Sequence, residues 1–569
     1  MGAEHKKLGN INGWVLTKNI EQLYSDSISI NYQYAFTQTG GIKFPDDMIW
    51  LNEDKICCYL EGFIVNKQSL MKNNNCEKWE NISREILLNP EILRDFRGGF
   101  CGFVYSESRL ILFNDQMGNR AIYYYYNREK LIVSSRWNYV VDVMRQNQIA
   151  YGLSEMAVRY MLTYGYMLDE TTFANEIKRI LPGHYVEVDM DKNAVRTNRY
   201  YLLQNEPNVR MEEREAVEIV DYYFRKAIKR EFEKDKENQY KHLTDLSGGL
   251  DSRMTTWVAH EMGYTEQLNI TYCKKNYLDF IISQDIAAFL KHEFIFKSLD
   301  DFKWFGDMDI IVGMNNGAAL YSGISGGRRL LEQLNVSEFG IEHTGMVGDA
   351  VVSTFFRNID ENYEKPKADM LRYSNKLECA VPRRTLEQYE NAEQFALYTR
   401  GLLGAQTSYF IRQNYLEVSS PFLDVDFMNA VFQIPFQLRK EHRLYLEWIK
   451  GKYPGAAKYG WERWCGIRPV RQAEWKKYII YGYRRVGELC KKIMKMPNQS
   501  VMAPFDYYIK NDKKMRCFVD NYYLKYINSA VIPPELKKDI GNLYATGNAG
   551  EKAQALTVLA IVRNFFVEK

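Results

Sequence analysis

The sequence predicts an α+β domain followed by an α/β domain and a helical tail, with limits at residues 1–204, 205–470 and 471–569. Three features carry that prediction. Before residue 200, short apolar strands alternate with turns at the period of two that marks β-structure. From about residue 211, strands alternate with helices, which implies a parallel sheet. Beyond residue 385 the pattern is mostly helical.

In order along the chain, the first domain is expected to hold strands at Gly13-Trp14-Val15-Leu16, Ile56 to Ile64, Gly102-Phe103-Val104-Tyr105, Leu110 to Phe113, Ala121 to Tyr126 and Leu131-Ile132-Val133. Helical stretches near 78–94 and 153–164 would cover its sheets. The turn Leu181-Pro182-Gly183-His184 leads into Tyr185-Val186-Glu187-Val188 and reads as a late hairpin. The second domain opens on a charged amphipathic helix, Glu213 to Lys234. The strand Leu243-Thr244-Asp245-Leu246, the helix Arg253 to Met262, the strand Gln267 to Tyr272 and the helix Ile282 to Leu290 follow. The Lys-rich stretch from 475 to 496 reads as a solvated helix face.

Composition narrows the function classes. Hydrophobic residues make up 46% and charged residues 26%, the balance of a globular chain with real cores. Lys and Arg total 75 against 72 acidic residues, and a net charge of +3 is too small for the basic field that nucleic acid requires. No apolar run approaches the roughly 20 residues that span a bilayer, and Met1-Gly2-Ala3-Glu4-His5-Lys6 lacks the apolar core of a signal peptide. A cytoplasmic chain with neither nucleic-acid nor membrane partner is the expectation. Nine scattered cysteines, with Cys57-Cys58 adjacent and no C-x-x-C pair, indicate reduced thiols rather than a disulfide framework or a cysteine zinc site.

Chemistry enters at Leu246-Ser247-Gly248-Gly249-Leu250-Asp251-Ser252, where a parallel strand ends and a helix begins. Ligands of open α/β sheets bind at such ends. The two glycines let the backbone approach a phosphate, Ser247 and Ser252 offer hydroxyls, and the helix N-terminus adds unpaired N–H donors. Asp251 suits the Mg²⁺ that accompanies ATP rather than the phosphate itself. No segment reads G-x-x-x-x-G-K-[ST], so this is not a Walker A loop. A second SGG, in Ser325-Gly326-Gly327-Arg328-Arg329, has no Asp and no preceding strand and reads as a loop entering a helix.

The SGGxDS pattern resembles the loop of the PP-loop ATP pyrophosphatases, and Leu416-Glu417-Val418-Ser419-Ser420-Pro421-Phe422-Leu423-Asp424 is similar to the LExRxPFLD segment of asparagine synthetases. Thr344-Gly345-Met346-Val347-Gly348-Asp349 resembles that family's SGEGxDE segment. In the first domain, Arg97-Gly98-Gly99-Phe100, Asn114-Asp115-Gln116-Met117-Gly118, Tyr123-Tyr124 and Ile180-Leu181-Pro182-Gly183-His184 follow the order of the glutaminase domain of the same enzymes. The resemblance spans roughly residues 10 to 470. It implies an N-terminal Ntn-hydrolase-like αββα domain followed by a PP-loop ATP pyrophosphatase with a parallel sheet. It also implies ATP and Mg²⁺ as cofactors, with Leu246, Ser247, Gly248, Gly249, Ser252, Thr344 and Gly345 around the nucleotide and Asp251 and Asp349 as magnesium ligands. The family's late Lys falls on Arg443, a candidate for neutralising pyrophosphate charge.

The chain departs from the family at several positions. Glutamine-dependent members use a cysteine exposed by removal of Met1, and here position 2 is Gly2, with no Cys, Ser or Thr before Thr17. The glutamine-binding Asn-Gly-Glu falls on Glu61-Gly62-Phe63 and the Asp-Gly on Arg97-Gly98. A degenerate glutaminase serving as scaffold is therefore expected. The Glu that assists ammonia deprotonation falls on Met346, which leaves Glu342, His343 and the distant Glu378 as base candidates, and Ser419 stands where the family has Arg. These features resemble β-lactam synthetases and lasso-peptide cyclases. The reading is an AMP-forming carbon–nitrogen ligase that joins a small-molecule or peptide carboxylate to an amine, with a homodimer as the candidate assembly. Its alternatives are an ammonia-dependent asparagine synthase, a PP-loop RNA-modifying enzyme, disfavoured by the charge balance, and a non-catalytic ATP-binding pseudoenzyme.

Overall fold

A computed structural model describes residues 12–464 and 505–567, apart from 22, 23, 25, 32, 54, 193, 301, 302, 324–326 and 357–362, with scattered positions between 466 and 502. Residues 1–11, the pair Ser325-Gly326 and most of the Lys-rich stretch from 475 to 496 lie outside the described residues.

Among the described residues, twelve strands form the first unit: β1 (Gly13–Lys18), β2 (Ile28–Ser29), β3 (Tyr34–Thr39), β4 (Ile49–Glu53), β5 (Ile56–Ile64), β6 (Gly98–Ser106), β7 (Arg109–Asn114), β8 (Tyr123–Tyr126), β9 (Leu131–Ser134), β10 (Lys178–Arg179), β11 (His184–Asp189) and β12 (Ala194–Arg199). They make two antiparallel sheets, in orders β10-β8-β9-β1-β3-β2 and β12-β11-β7-β6-β5-β4. The period of two is the reason they stack. Trp14, Leu16, Cys57, Tyr59, Cys101 and Phe103 point into the space between the sheets, whereas Val15, Cys58, Leu60, Phe100 and Val104 point to the outer faces. Between the sheets, Trp14 and Phe103 pack with ring centroids 5.7 Å apart, and Phe36 and Tyr59 at 4.7 Å. Helix α1 (Ile82–Leu88) covers β6 and β7, and α2 (Trp137–Gln146) covers β8 and β9. This is the expected layering of helix, sheet, sheet and helix. Helix α2 was not anticipated, although Trp137, Val140, Val141 and Met144 carry a helical period. Helix α3 (Glu155–Tyr164), capped by Ser154, follows it.

Helix α4 (Glu213–Glu237) leads into a second, all-parallel sheet of β13 (Lys241–Asp245), β14 (Gln267–Cys273), β15 (Glu293–Ser298), β16 (Phe339–His343) and β17 (Glu417–Ser419). The strand order is β15-β14-β13-β16-β17, all pairs parallel. Helices α5 (Asp251–Glu261) and α6 (Leu278–Leu290) follow β13 and β14. The chain runs outward from β13 to β15 and then returns to β16. The switch point of the sheet thus lies between β13 and β16, where ligands of open α/β sheets bind.

The last four helices, Phe505–Asn511, Lys513–Tyr526, Pro534–Thr546 and Ala549–Phe565, are not an appendage. Ala549–Phe565 is buried along nearly its whole length, packed against α3 and the helix Met308–Met314, with Phe565 on Trp137 at 4.8 Å. It joins the two units. No helix among the described residues is long and apolar enough to cross a membrane.

Charged pairs dominate the seam between the units. Lys234 on α4 meets Asp47 at 2.7 Å with both buried. Asp426 receives Arg97 of the first unit at 2.9 Å, Arg230 of α4 at 2.6 Å and Lys226 at 3.1 Å. Burial alone would raise the Asp426 carboxyl, but Arg97 and then Arg230 and Lys226 outweigh it and hold it far below the ordinary carboxylate range. A depressed carboxylate contributes its full stabilisation above the unfolded-state value near pH 4 and loses it progressively as pH falls from there through the far lower folded-state value. Asp426→Asn should therefore lower stability by about 2–3 kcal/mol at pH 7 and by somewhat less at pH 3, where the contribution is only partly lost. Urea midpoints of both proteins at the two pH values measure this, and an equal loss at both would rule the ion pairs out as the cause.

Candidate active site

Two loops meet at the switch point. The first runs from Leu246 to Leu250 between β13 and α5, and its hydroxyls shape it from within: Ser247 N donates to Ser252 Oγ at 3.0 Å, and the two hydroxyls lie 2.9 Å apart. Gly248 N donates to Asp279 Oδ1 at 2.9 Å, and burial pushes that carboxyl up to about 6. Arg253, fully buried on the first turn of α5, donates to the carbonyls of Gly248 at 3.2 Å, Ala456 at 3.2 Å and Gly460. It ties the loop to residues 456–460 without any carboxylate partner among these contacts.

The second loop, Thr344 to Val347, follows β16 and leads into α7 (Gly348–Val352). Thr344 N donates to Ser419 O at 2.8 Å, and Ser420 Oγ to Met346 O at 3.1 Å, so β17 and the residues after it hold the loop from one side. Gly345 allows the other side to close. A Cβ there would lie 2.3 Å from Ser252 N and 2.5 Å from Asp251 C, both backbone atoms. Val347 takes φ 65°, a left-handed conformation that disfavours a β-branched residue by roughly 1–2 kcal/mol.

That turn delivers Asp349 to Asp251. Asp349 N donates to Asp251 Oδ2 at 2.9 Å, and Tyr445 Oη on α8 (Arg443–Lys452) donates to Asp251 Oδ1 at 2.8 Å. Burial first, and then the negative charge of Asp349, push the Asp251 carboxyl well above the ordinary carboxylate range. The Asp349 side chain is about half exposed, with Arg463 Nη1 at 3.7 Å. Two carboxylates facing each other, with one loosely placed guanidinium beside them, form a donor set suited to a hard cation.

Leu246, Ser247, Gly248, Gly249, Asp251, Ser252, Thr344, Gly345 and Asp349 converge here. Arg443 does not: its guanidinium pairs with Glu213 at the surface and is 57% exposed. The arginine at the carboxylates is Arg463, twenty residues further on, which the sequence reading passed over together with Tyr445, Asp279 and Arg253. Only Arg253, directly after the SGGLDS run, carried a local signal. The base candidates are also displaced. Glu342 is buried against Arg412 at the same strand end. His343 is buried between Asp235 and Glu231, whose charges outweigh the lowering effect of burial and push it up to about 9. Glu378 is exposed in an irregular stretch. Arg328 and Arg329, after the second SGG, both pair with Asp307, which removes them as anion contacts.

In the first unit, the positions aligned with a glutamine clamp are engaged elsewhere. Glu61 accepts from Tyr59 Oη at 2.9 Å and pairs with Arg120 at 2.8 Å. Arg97 is held by Asp426.

A family model described as a glutamine amidotransferase domain matches residues 83–201. That stretch, from α1 through β12, is thus related to glutamine amidotransferase domains, an enzyme kinship that does not single out the asparagine synthetases. Two solved structures are similar at a low level. Glutamine phosphoribosylpyrophosphate amidotransferase from B. subtilis complexed with ADP and GMP is 9% identical, with a TM-score of 0.24, over 51% of this chain and 85% of that one. A structure described as the allosteric regulatory enzyme of purine biosynthesis is 9% identical, with a TM-score of 0.23, over 50% of this chain and 74% of that one. A comparison with curated proteins finds no match.

The contact between the two loops can be tested by adding one methyl group. Gly345→Ala should destabilise the protein by about 1–3 kcal/mol, because backbone on both sides must move. Gly249→Ala should change little, since its Cβ would meet only Ser247 Oγ at 3.2 Å. Denaturant midpoints decide, and equal effects of the two substitutions would contradict the packing described.

Proposed function

We propose that the chain is an ATP-dependent, amide-forming synthetase of the asparagine-synthetase type that activates a carboxylate as its adenylate and has no glutaminase of its own. The juxtaposition of Asp251 and Asp349 at the switch point, fastened by the 2.9 Å hydrogen bond from Asp349 N, carries the reading. A hydrogen-bonded Gly-Gly loop at the start of α5 and the amidotransferase kinship of residues 83–201 support it.

In this reading a substrate carboxylate oxygen attacks the α-phosphorus of ATP, and the bond from that phosphorus to the bridging oxygen of pyrophosphate breaks. An amine then attacks the acyl carbon, AMP leaves, and one proton is released as the amide forms. Asp251 and Asp349 would hold Mg²⁺, whose charge would offset that of the triphosphate. Ser247, Gly248, Gly249 and Ser252 line the approach to the phosphates, and Arg463 takes the charge-neutralising part first expected of Arg443. Tyr445 keeps Asp251 oriented by its 2.8 Å hydrogen bond. Fixed donors of this kind contribute by positioning and by opposing charge rather than by covalent chemistry.

Asp251→Asn should weaken Mg–ATP binding tenfold or more, about 1.4 kcal/mol, in isothermal titration. An unchanged affinity would remove the magnesium assignment, and ADP in place of AMP as product would remove the adenylate.

No hydrolysis of glutamine is expected, because Glu61 and Arg97 are committed to ion pairs rather than to a substrate. Glutamate released above a blank would contradict this. Met346 offers no base, so free ammonia should be a poor acceptor. Supplied with aspartate, ATP, Mg²⁺ and ammonium, Met346→Glu should form asparagine faster than the wild type, up to the ~10²–10⁴-fold that a positioned base contributes. Rapid asparagine formation by the wild type would favour the ammonia-dependent alternative.

A further inference from the structure

A second group of ionisable side chains lies where α4 crosses β13 and β16, with His343 immediately preceding the second loop. Asp235 on α4, His242 on β13 and His343 at the end of β16 are all buried, at 0%, 6% and 0% exposure. Asp235 Oδ2 is 3.2 Å from His242 Nδ1 and 2.8 Å from His343 Nε2, and the three donor atoms lie within 4.8 Å of one another. Ligands ~2.0–2.2 Å from one tetrahedral ion lie roughly 3.3–3.6 Å apart, so an outward movement of the imidazoles by a few tenths of an ångström opens the space for one. Around them is a shell of supporting contacts. Glu231 Oε2 sits 3.2 Å from the far nitrogen of His343, and Ser419 Oγ donates to Glu231 Oε1 at 2.6 Å. Ile341 N donates to Asp235 Oδ1 at 3.0 Å, and Phe232 stacks on His343 at 3.9 Å.

We propose that Asp235, His242 and His343 bind one divalent transition-metal ion of the zinc type, with Glu231 and Ser419 orienting His343. Two imidazoles with one carboxylate favour zinc and its neighbours over magnesium or calcium, which prefer oxygen. A carboxylate on the second nitrogen of a ligating histidine is the usual outer partner of such sites. Charge is compatible with this: Asp235 and Glu231 bring two negative charges into a buried spot, which a protonated His343 offsets in part and a divalent ion that displaces the proton would cancel. His242 also forms part of the wall of a groove of about 790 Å³ at the N-terminal ends of the strands, with Tyr240, Tyr264 and His292, and so is the member of the cluster next to solvent. Bound there, the ion braces α4 against β13 and β16, the two strands whose C-terminal ends lead to Asp251 and Asp349. Its role is structural.

The test uses the full chain, stripped with a chelator and titrated with Co²⁺ in the absence of ATP. One equivalent should bind with the visible absorption of tetrahedral cobalt, Zn²⁺ should displace it, and Zn²⁺ should raise the thermal midpoint. His242→Gln, on the groove side, should lose the absorption, Ser419→Ala should bind about tenfold more weakly, and Asp349→Asn should retain it. A wild type without the absorption would overturn the proposal and leave an ion-pair knot. Absorption that survives His242→Gln, or that disappears with Asp349→Asn, would overturn it as well. If His242→Gln does not fold, wild type and Ser419→Ala decide the question, and equal affinities overturn it.

Discussion

Helix α4 carries Arg230, Glu231, Lys234 and Asp235 into the middle of the molecule, and a buried charge without a partner costs several kcal/mol. Each must be met by a group from another element. Lys234 is met by Asp47 of the first unit, Arg230 by Asp424 and Asp426, Glu231 by His343 and Ser419, and Asp235 by His343, His242 and the Ile341 amide. One helix thereby sets the position of the sandwich, the parallel sheet and the segment from 417 to 426 relative to one another. Hydrophobic contact alone would tolerate sliding, whereas these pairs tolerate one register.

Much of this was legible in local sequence because local sequence causes it. The two-residue period of β1, β5 and β6 appears as alternating buried faces, and the strand–Gly-Gly–helix passage at 243–261 appears as β13, its loop and α5. Convergence of Asp251 with Asp349 could be expected because both follow parallel strands. Arg463 and Tyr445 were hidden for the opposite reason: they reach the site from segments about 200 residues downstream, and nothing near them in the chain marks them. Arg443 had the right charge but lies at the start of α8, where Glu213 captures it. The His–Asp cluster was likewise invisible, since its members fall on α4, β13 and β16 and share no spacing.

The C-terminal helix shows how tertiary context changes the meaning of composition. Ala549–Phe565 reads as an unremarkable helical end, yet its Leu, Ile, Val and Ala positions face partners on all sides. Asn548 and Glu551 close its start with a reciprocal capping box, which satisfies backbone donors that burial would otherwise strand. The helix contributes no group to the carboxylate pair. It supplies apolar area between α3 and Met308–Met314, and the two units share a core because of it.

The same reasoning explains why a first domain with its clamp positions committed elsewhere would still be needed. Strand β17 has three residues, and each is gripped by a different neighbour. Arg120 of the first unit pairs with Glu417, Asn119 Nδ2 donates to Val418 O at 2.8 Å, and Ser419 donates to Glu231 while its carbonyl accepts from Thr344 N at 2.8 Å. Two of the three grips come from the first unit, and the third leads directly into the loop that delivers Asp349. A three-residue edge strand has too few ladder bonds to hold its own register. Asn119 is itself fixed by Gln413, whose Nε2 donates to Asn119 O at 2.9 Å and Oδ1 at 2.8 Å, so the grip is built from both sides. Removing the sandwich would thus release β17, then the 344–347 loop, and with it the carboxylate that completes the pair.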